Sequence, residues 1–110
     1  LFRSPKFELK DAGTPQAALQ LDANGFAIGG LRTPPVEVPA ADYATNSAGP
    51  GVCREMGKKT EYDATKFKKM YASQKDYVSK IGKAADRLVK ERWLTEADAR
   101  RIKREAAATR

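Results

Sequence analysis

Serine, cysteine and acidic side chains are present that could support nucleophilic or acid–base chemistry, but the chain contains no histidine. A serine or cysteine nucleophile needs a base that titrates near neutral pH, and that base is nearly always histidine. The serines are Ser4, Ser47, Ser73 and Ser79, and none lies in a Gly-x-Ser-x-Gly turn. We therefore predict no catalytic residue in this chain and do not expect it to be an enzyme by itself.

Metal and cysteine chemistry are equally disfavoured. Cys53 is the single cysteine, so an internal disulfide and a multi-cysteine zinc site are excluded. Without a histidine partner, Cys53 is expected to be a small buried side chain and not a nucleophile. The acids fall at expected helix caps and on solvent faces, which disfavours a paired-carboxylate mechanism. We predict neither a metal site nor a cofactor.

The stretch with the most specific composition is residues 29–39, Gly-Gly-Leu-Arg-Thr-Pro-Pro-Val-Glu-Val-Pro, which we call the strap. Its glycines permit positive φ angles or close backbone approach, and its prolines favour an extended path. The Val-Glu-Val segment between Pro35 and Pro39 is predicted to be extended. One interpretation is a rigid connection across a parent domain. The other makes Arg32 and Glu37 substrate-binding residues, with Arg32 binding a carboxylate or lining a substrate entrance.

The elements that would position the strap differ between the two halves of the chain. Residues 1–62 are predicted to form an extended arm, since all six prolines and seven of the eight glycines lie there. Within it, residues 18–21 alternate apolar side chains and predict a strand, followed by a tight turn at Asn24-Gly25. So little core material predicts that the arm packs on a partner body.

Residues 63–110 are predicted to form a basic helical region with helices at about 63–71, 73–92 and 95–108. Asp63, Ser73 and Thr95 are the expected N-caps. The second helix carries one apolar stripe and two expected ion pairs, Asp76 with Lys80 and Asp86 with Lys90. The stripe comprises Tyr77, Val78, Ile81, Ala84, Ala85, Leu88 and Val89. The next helix should pack back on it as a helical hairpin, through Ala99, Ile102 and Ala106.

The net charge of +7 lies entirely in the second half. Residues 1–50 carry four basic and five acidic residues, whereas residues 51–110 carry 17 basic and nine acidic ones. One interpretation is a small helical module that binds nucleic acid or another anionic partner. The interleaved acids favour a solvated helix face, and Phe67 and Tyr71 share one face as core residues would. Nucleic acid is therefore not the expected partner, and no apolar run is long enough to span a membrane.

Several short blocks resemble the C-terminal region of a bacterial family of α/β-hydrolase-domain proteins. They occur in order over roughly residues 20–106: Asp22-x-x-Gly25, Gly29-Gly30-Leu31-Arg32-Thr33-Pro34, Val38-Pro39-x-Ala41-x-Tyr43, Met70-Tyr71-x-Ser73-x-x-x-Tyr77-Val78, Ala84-Ala85-x-x-Leu88-Val89-x-Glu91-Arg92 and Leu94-x-x-x-Asp98-Ala99-x-x-Ile102.

This resemblance implies part of an α/β hydrolase, esterase-like, whose serine nucleophile, acid and histidine all lie upstream of these residues. The implied role is a C-terminal structural segment that shapes the pocket for an ester-type substrate. The implied partner is the remainder of the hydrolase body, in the same chain or in another.

Overall fold

The computed structural model describes residues 3–108, so the outermost residues of the predicted regions 1–62 and 63–110 lie outside it. The first part of the chain consists of short strands joined by longer loops and turns, and the second part is mainly helical. In chain order the elements are β1 (Leu9–Lys10), β2 (Ala18–Leu19), α1 (Pro34–Glu37), β3 (Ala41–Ala44), a 3₁₀ turn (Gly51–Glu55), β4 (Lys58–Glu61), α2 (Ala64–Met70), α3 (Gln74–Lys90) and α4 (Glu96–Ala108).

Three short segments meet pairwise near the N-terminus, and we call residues 7–9, 19–21 and 27–29 together the β junction. Its antiparallel pairs are Phe7 with Gly29, Leu9 with Leu19, and Leu21 with Ala27. A closed ring of backbone hydrogen bonds joins Glu8 N to Ile28 O (2.9 Å), Ile28 N to Gln20 O (2.8 Å) and Gln20 N to Glu8 O (2.9 Å). Of the predicted strand at 18–21, the structure forms Ala18–Leu19 as a strand and Leu21 as an isolated bridge, and the two pairing partners were not predicted.

The strap begins as predicted and then departs from the extended path. Gly29 and Gly30 both take positive φ angles, 80° and 64°. Residues Pro34–Glu37, however, form the helical turn α1, so the expected extended Val-Glu-Val segment is wrong. The reason is the adjacent prolines: they occupy the first two helical positions, where no N–H is needed and the fixed φ suits a helix.

A second two-stranded sheet, β3 with β4, was not predicted. It is antiparallel, with Ala41 opposite Glu61 and Ala44 opposite Lys58. The segment between them holds the 3₁₀ turn, in which Cys53 is exposed. The expected burial of Cys53 is therefore wrong, because none of the residues of this turn is buried.

Each long helix begins at its predicted cap. Asp63 Oδ1 accepts from Lys66 N (2.8 Å), Ser73 Oγ from Asp76 N (3.1 Å), and Thr95 Oγ1 from Asp98 N (3.1 Å). Side-chain acceptors at these positions satisfy N–H groups that have no partner within the helix.

The core lies between α3, α4 and the segment that follows α1. On α3 the buried residues are Tyr77, Ile81, Ala84, Ala85 and Leu88. Ala99 and Ala106 of α4 are also buried and Ile102 packs against the core, as predicted for the helical hairpin.

Aromatic packing completes this core. The rings of Phe67, Tyr71 and Tyr77 lie with centroids 5.0–5.3 Å apart, so the expected core role of Phe67 and Tyr71 is confirmed. The Tyr71 hydroxyl donates to Pro39 O at 2.7 Å, which ties the end of the strap to α2 and α3. Edge-to-face aromatic contacts of this kind stabilise beyond their buried area.

Of the two ion pairs predicted along α3, only one forms. Asp76 and Lys80 pair at 2.8 Å, as predicted. Asp86 instead binds Lys103 of α4 at 2.5 Å, so the expected Asp86–Lys90 pair is wrong. The short connection brings α4 alongside α3, and the bond across the helices replaces the one along α3. None of the helices within residues 3–108 has the length and apolar character needed to cross a membrane.

Candidate functional site

Arg32 lies at the centre of the bonds that hold the strap. Its Nη1 donates to Ala27 O (2.5 Å), and its Nη2 donates to Asp22 Oδ2 (2.6 Å) and Val36 O (3.3 Å). The planar guanidinium can serve three acceptors in different directions, which a single ammonium group cannot do in the same way. Arg32 therefore joins the turn after β2, the β junction and α1.

Asp22 is the acidic partner of this arrangement. Its Oδ1 accepts from Asn24 N (2.9 Å) and Phe26 N (3.0 Å), which builds the turn, and Gly25 supplies the positive φ of 81°. Burial by itself would raise the pKa of Asp22, but the hydrogen bonds from Phe26 N–H and Arg32 outweigh burial and leave the pKa below its ordinary value. Asp22 is therefore ionised around neutral pH and bound to Arg32.

Glu37 lies at the other end of α1 and pairs with Arg87 of α3. Arg87 also donates to both carboxylate oxygens of Glu91, at 3.3 Å each. The Glu37 and Arg87 side chains remain more than a third exposed. Solvent access lowers the stabilising contribution of such a pair and keeps both groups available to a ligand.

An open groove runs along α3 on both sides of the Glu37–Arg87 pair, and we call it the strap groove. One side, of about 440 Å³, has an apolar floor that includes Val38, Tyr71 and Ala84. The other side, of about 390 Å³, is lined by Arg32 and Leu31 among others. The two residues predicted to bind substrate, Arg32 and Glu37, thus line the same part of this groove.

A smaller cavity of about 150 Å³ lies beneath β3 and β4 and is lined partly by Tyr62 and Phe67. The Tyr62 hydroxyl is buried, and no group within residues 3–108 makes a hydrogen bond with it. The charges of Asp42 and Lys66 act on it. Burial and the Asp42 charge raise the pKa of Tyr62. Lys66 Nζ lies 3.8 Å from the centre of the Tyr62 ring and 2.9 Å from Asp42.

The side chains that were considered for nucleophilic chemistry do not come together. Ser47 Oγ donates to Cys53 O in the exposed segment between β3 and β4. Ser73 is engaged as a helix cap. Within residues 3–108, no group of three or more histidine, cysteine or acidic side chains is arranged to hold a metal ion. The residues that line the strap groove offer charged and apolar surface for binding a ligand.

Two residues that bind the predicted site residues were not identified from the sequence: Arg87, the partner of Glu37, and Asp22, the partner of Arg32. Arg87 looked like a solvent-face residue of α3, and nothing local indicates that it meets Glu37, which lies 50 residues earlier. Asp22 was read only as part of a turn. The signal that identifies it is the combination of an Asp-x-x-Gly turn with an arginine ten residues later.

A family model described as an alpha/beta hydrolase domain matches residues 2–104. The chain belongs to the α/β-hydrolase domain family. The resemblance carried by the short sequence blocks is confirmed at the level of this domain. Comparison with curated proteins and with solved structures gave no match. The two small sheets and four helices of residues 3–108 are consistent with a partial α/β-hydrolase domain.

Proposed function

We propose that this chain is the C-terminal, pocket-shaping part of an α/β-fold serine hydrolase acting on ester-type substrates, with the catalytic residues outside the chain. The observation that carries the proposal is membership of the α/β-hydrolase domain family in a chain without any histidine. A serine hydrolase of this fold needs a histidine base, so the base must come from elsewhere.

Two roles follow for the predicted substrate-binding residues. Arg32 already donates to three internal acceptors, so it acts as a positioning residue that holds the strap. The Glu37 carboxylate is more exposed and pairs with Arg87, so it is the group that meets substrate at the edge of the strap groove. The apolar floor beside it suits an alkyl or aryl part of an ester.

The basic module remains the alternative, but no specific contact favours it. Lys80 and Arg101 each pair with an acid of their own helix, and Arg87 pairs with Glu91, which directly follows α3. Phosphate binding would weaken steeply between low and physiological ionic strength. We expect no salt-dependent binding of this kind.

Hydrolysis of a series of p-nitrophenyl esters tests the proposal, with the complete encoded polypeptide compared with residues 1–110. The complete polypeptide is expected to hydrolyse them and residues 1–110 to show only the background rate. Hydrolysis by residues 1–110, or none by a complete, folded polypeptide, would show the proposal to be wrong.

The pocket-edge role has its own variant. Glu37→Gln is expected to change KM for esters by several-fold while kcat stays nearly constant, since it alters binding and not the catalytic groups. Glu96→Gln is the matched control, because Glu96 pairs with Arg100 on an exposed part of α4. Equal changes of KM in the two variants would contradict a role of Glu37 at the pocket edge.

A further inference from the structure

The β junction has one entirely apolar face. Directly opposed residues of antiparallel strands share a face. Phe7, Leu9, Leu19 and Leu21 therefore project together, alongside Ala27 and Gly29 of the third segment. We call these six residues the junction face. Its four large side chains are 54%, 51%, 48% and 50% exposed, in chain order.

The described residues leave about half of each large side chain of this face exposed. No residue from 3 to 33 is buried, and the buried core begins only at Pro34. Ordering backbone costs about 1–2 kcal/mol per residue, and short hairpins are marginal in water without a layer packed on them. A segment with defined pairing and no buried side chain therefore needs apolar surface from outside.

The glycines of the strap fix the geometry of the face. A Cβ on Gly29 would lie 2.4 Å from Lys6 O, and one on Gly30 would lie 2.4 Å from the Phe7 ring. Both glycines also have positive φ. Only glycine fits at these two positions without a clash or backbone strain. The two glycines therefore allow Phe7 to pack against the strap while part of its ring stays exposed.

We propose that the junction face docks on an apolar surface of the catalytic part of the same α/β-hydrolase domain. This inference rests on the proposed function. The choice of docking partner follows from the size of the face. Its four half-exposed large side chains present roughly 300–400 Å² of apolar surface. A stable dimer of separate molecules needs about 800 Å² from each partner. The face is too small to hold a second copy, but sufficient for one part of a larger domain interface.

Hydroxyl-radical footprinting of the complete encoded polypeptide and of residues 1–110 tests the docking. Labelling of Phe7, Leu9, Leu19 and Leu21 is expected to fall several-fold in the complete polypeptide. Val52 and Met56 are the internal controls, because they are exposed apolar residues of the 3₁₀ turn and its end and do not belong to the junction face. They should be labelled equally in both samples.

Two footprinting results would overturn the inference. One is equal labelling of the junction face in both samples. The other is protection in residues 1–110 alone that increases with protein concentration, which would identify a second copy as the occupant.

Paired substitutions supply a second measurement. The test pair is Leu9→Thr with Leu21→Thr, which makes the junction face polar while threonine still suits a strand. The control pair is Glu8→Thr with Gln20→Thr, at neighbouring positions whose side chains point to the opposite face. The first pair is expected to lower the melting temperature of the complete polypeptide by several degrees more than the second. The helical melt of residues 1–110 should be unchanged, since neither leucine belongs to its core. Equal shifts from both pairs would contradict docking.

The footprint and the ester assay separate this inference from the proposed function. Ester hydrolysis with a fully labelled junction face would overturn the docking and leave the function standing. A protected face without ester hydrolysis would support docking and overturn the function.

Discussion

At the scale of single residues, the strap is held by hydrogen bonds of Arg32 that depend on the shape of its guanidinium. The contacts to Asp22, Ala27 O and Val36 O point in different directions from one side chain. Charge alone would preserve only part of this arrangement. A substitution that keeps the charge and removes the fork therefore separates geometry from electrostatics.

Arg32→Lys is expected to raise the pKa of Asp22 toward its ordinary value and to weaken the strap by about 1–2 kcal/mol. Because the pKa of Asp22 is depressed in the folded chain, its stabilisation is present above the ordinary aspartate pKa and is lost as the pH falls. Carbon-detected NMR titration of the Asp22 carboxyl group measures the change. Arg100→Lys, at an exposed pair with Glu96, is the control and should leave Asp22 unchanged.

Tyr71 links the core to the strap, and its ionisation lowers the free energy of unfolding at alkaline pH. Burial raises its pKa to about 12, with a further contribution from Tyr77. The folded chain thus holds the Tyr71 proton more tightly than the unfolded chain, so this stabilisation is complete below about pH 10 and is lost between about pH 10 and 12.

Tyr71→Phe is expected to cost about 1 kcal/mol at neutral pH through loss of the bond to Pro39 O, and to reduce the alkaline loss of stability. Denaturant unfolding at several pH values checks both effects. Tyr43→Phe, at a half-exposed ring, should change neither. An unchanged alkaline profile in Tyr71→Phe would contradict the role of Tyr71.

At the scale of elements, the helices could be predicted because their signals are local. The caps at Asp63, Ser73 and Thr95 and the apolar stripe of α3 are all contained in a few consecutive turns. The α1 turn was missed because its two prolines fit a helix start as well as an extended chain. β3 and β4 were missed because their pairing is not local and the sequence of β4 does not alternate in polarity.

The start of α3 provides a test with two serines in one helix region. Ser73→Ala is expected to destabilise the chain by about 1 kcal/mol, since Ser73 Oγ accepts from Asp76 N. Ser79→Ala should be neutral or slightly stabilising, because Ser79 is exposed inside α3 and alanine is the better helix former. Thermal unfolding followed by circular dichroism compares them, and equal effects would contradict the cap.

The end of α3 predicts a stabilising substitution. Arg92 has a positive φ of 66°, and the chain closes with bonds from Arg92 N to Val89 O and from Trp93 N to Leu88 O, both 2.9 Å. Glycine is preferred at this position of such a helix end. Arg92→Gly is expected to raise the free energy of unfolding by roughly 0.5–1 kcal/mol in denaturant titrations. A loss of stability would mean that contacts of the Arg92 side chain stabilise the fold by more than the positive φ at Arg92 destabilises it.

At the scale of the whole molecule, the buried residues are unevenly distributed. The helices, α1 and the segment leading into β3 supply the core, whereas residues 3–33 supply no buried side chain. This asymmetry agrees with a chain that needs another body to complete its packing. The sequence predicted such a body from the lack of core residues, and it predicted Arg32 and Glu37 as residues of one site. It could not predict Arg87 beside them, since that contact depends on how α1 packs on α3.

We propose that the catalytic residues of this α/β-hydrolase domain lie outside residues 1–110. Labelling of the complete encoded polypeptide with a fluorophosphonate, followed by peptide mapping, tests it most directly because the reagent marks an activated serine. We predict one labelled serine outside residues 1–110. Labelling of Ser4, Ser47, Ser73 or Ser79, or a folded complete polypeptide in which no serine reacts, would contradict it.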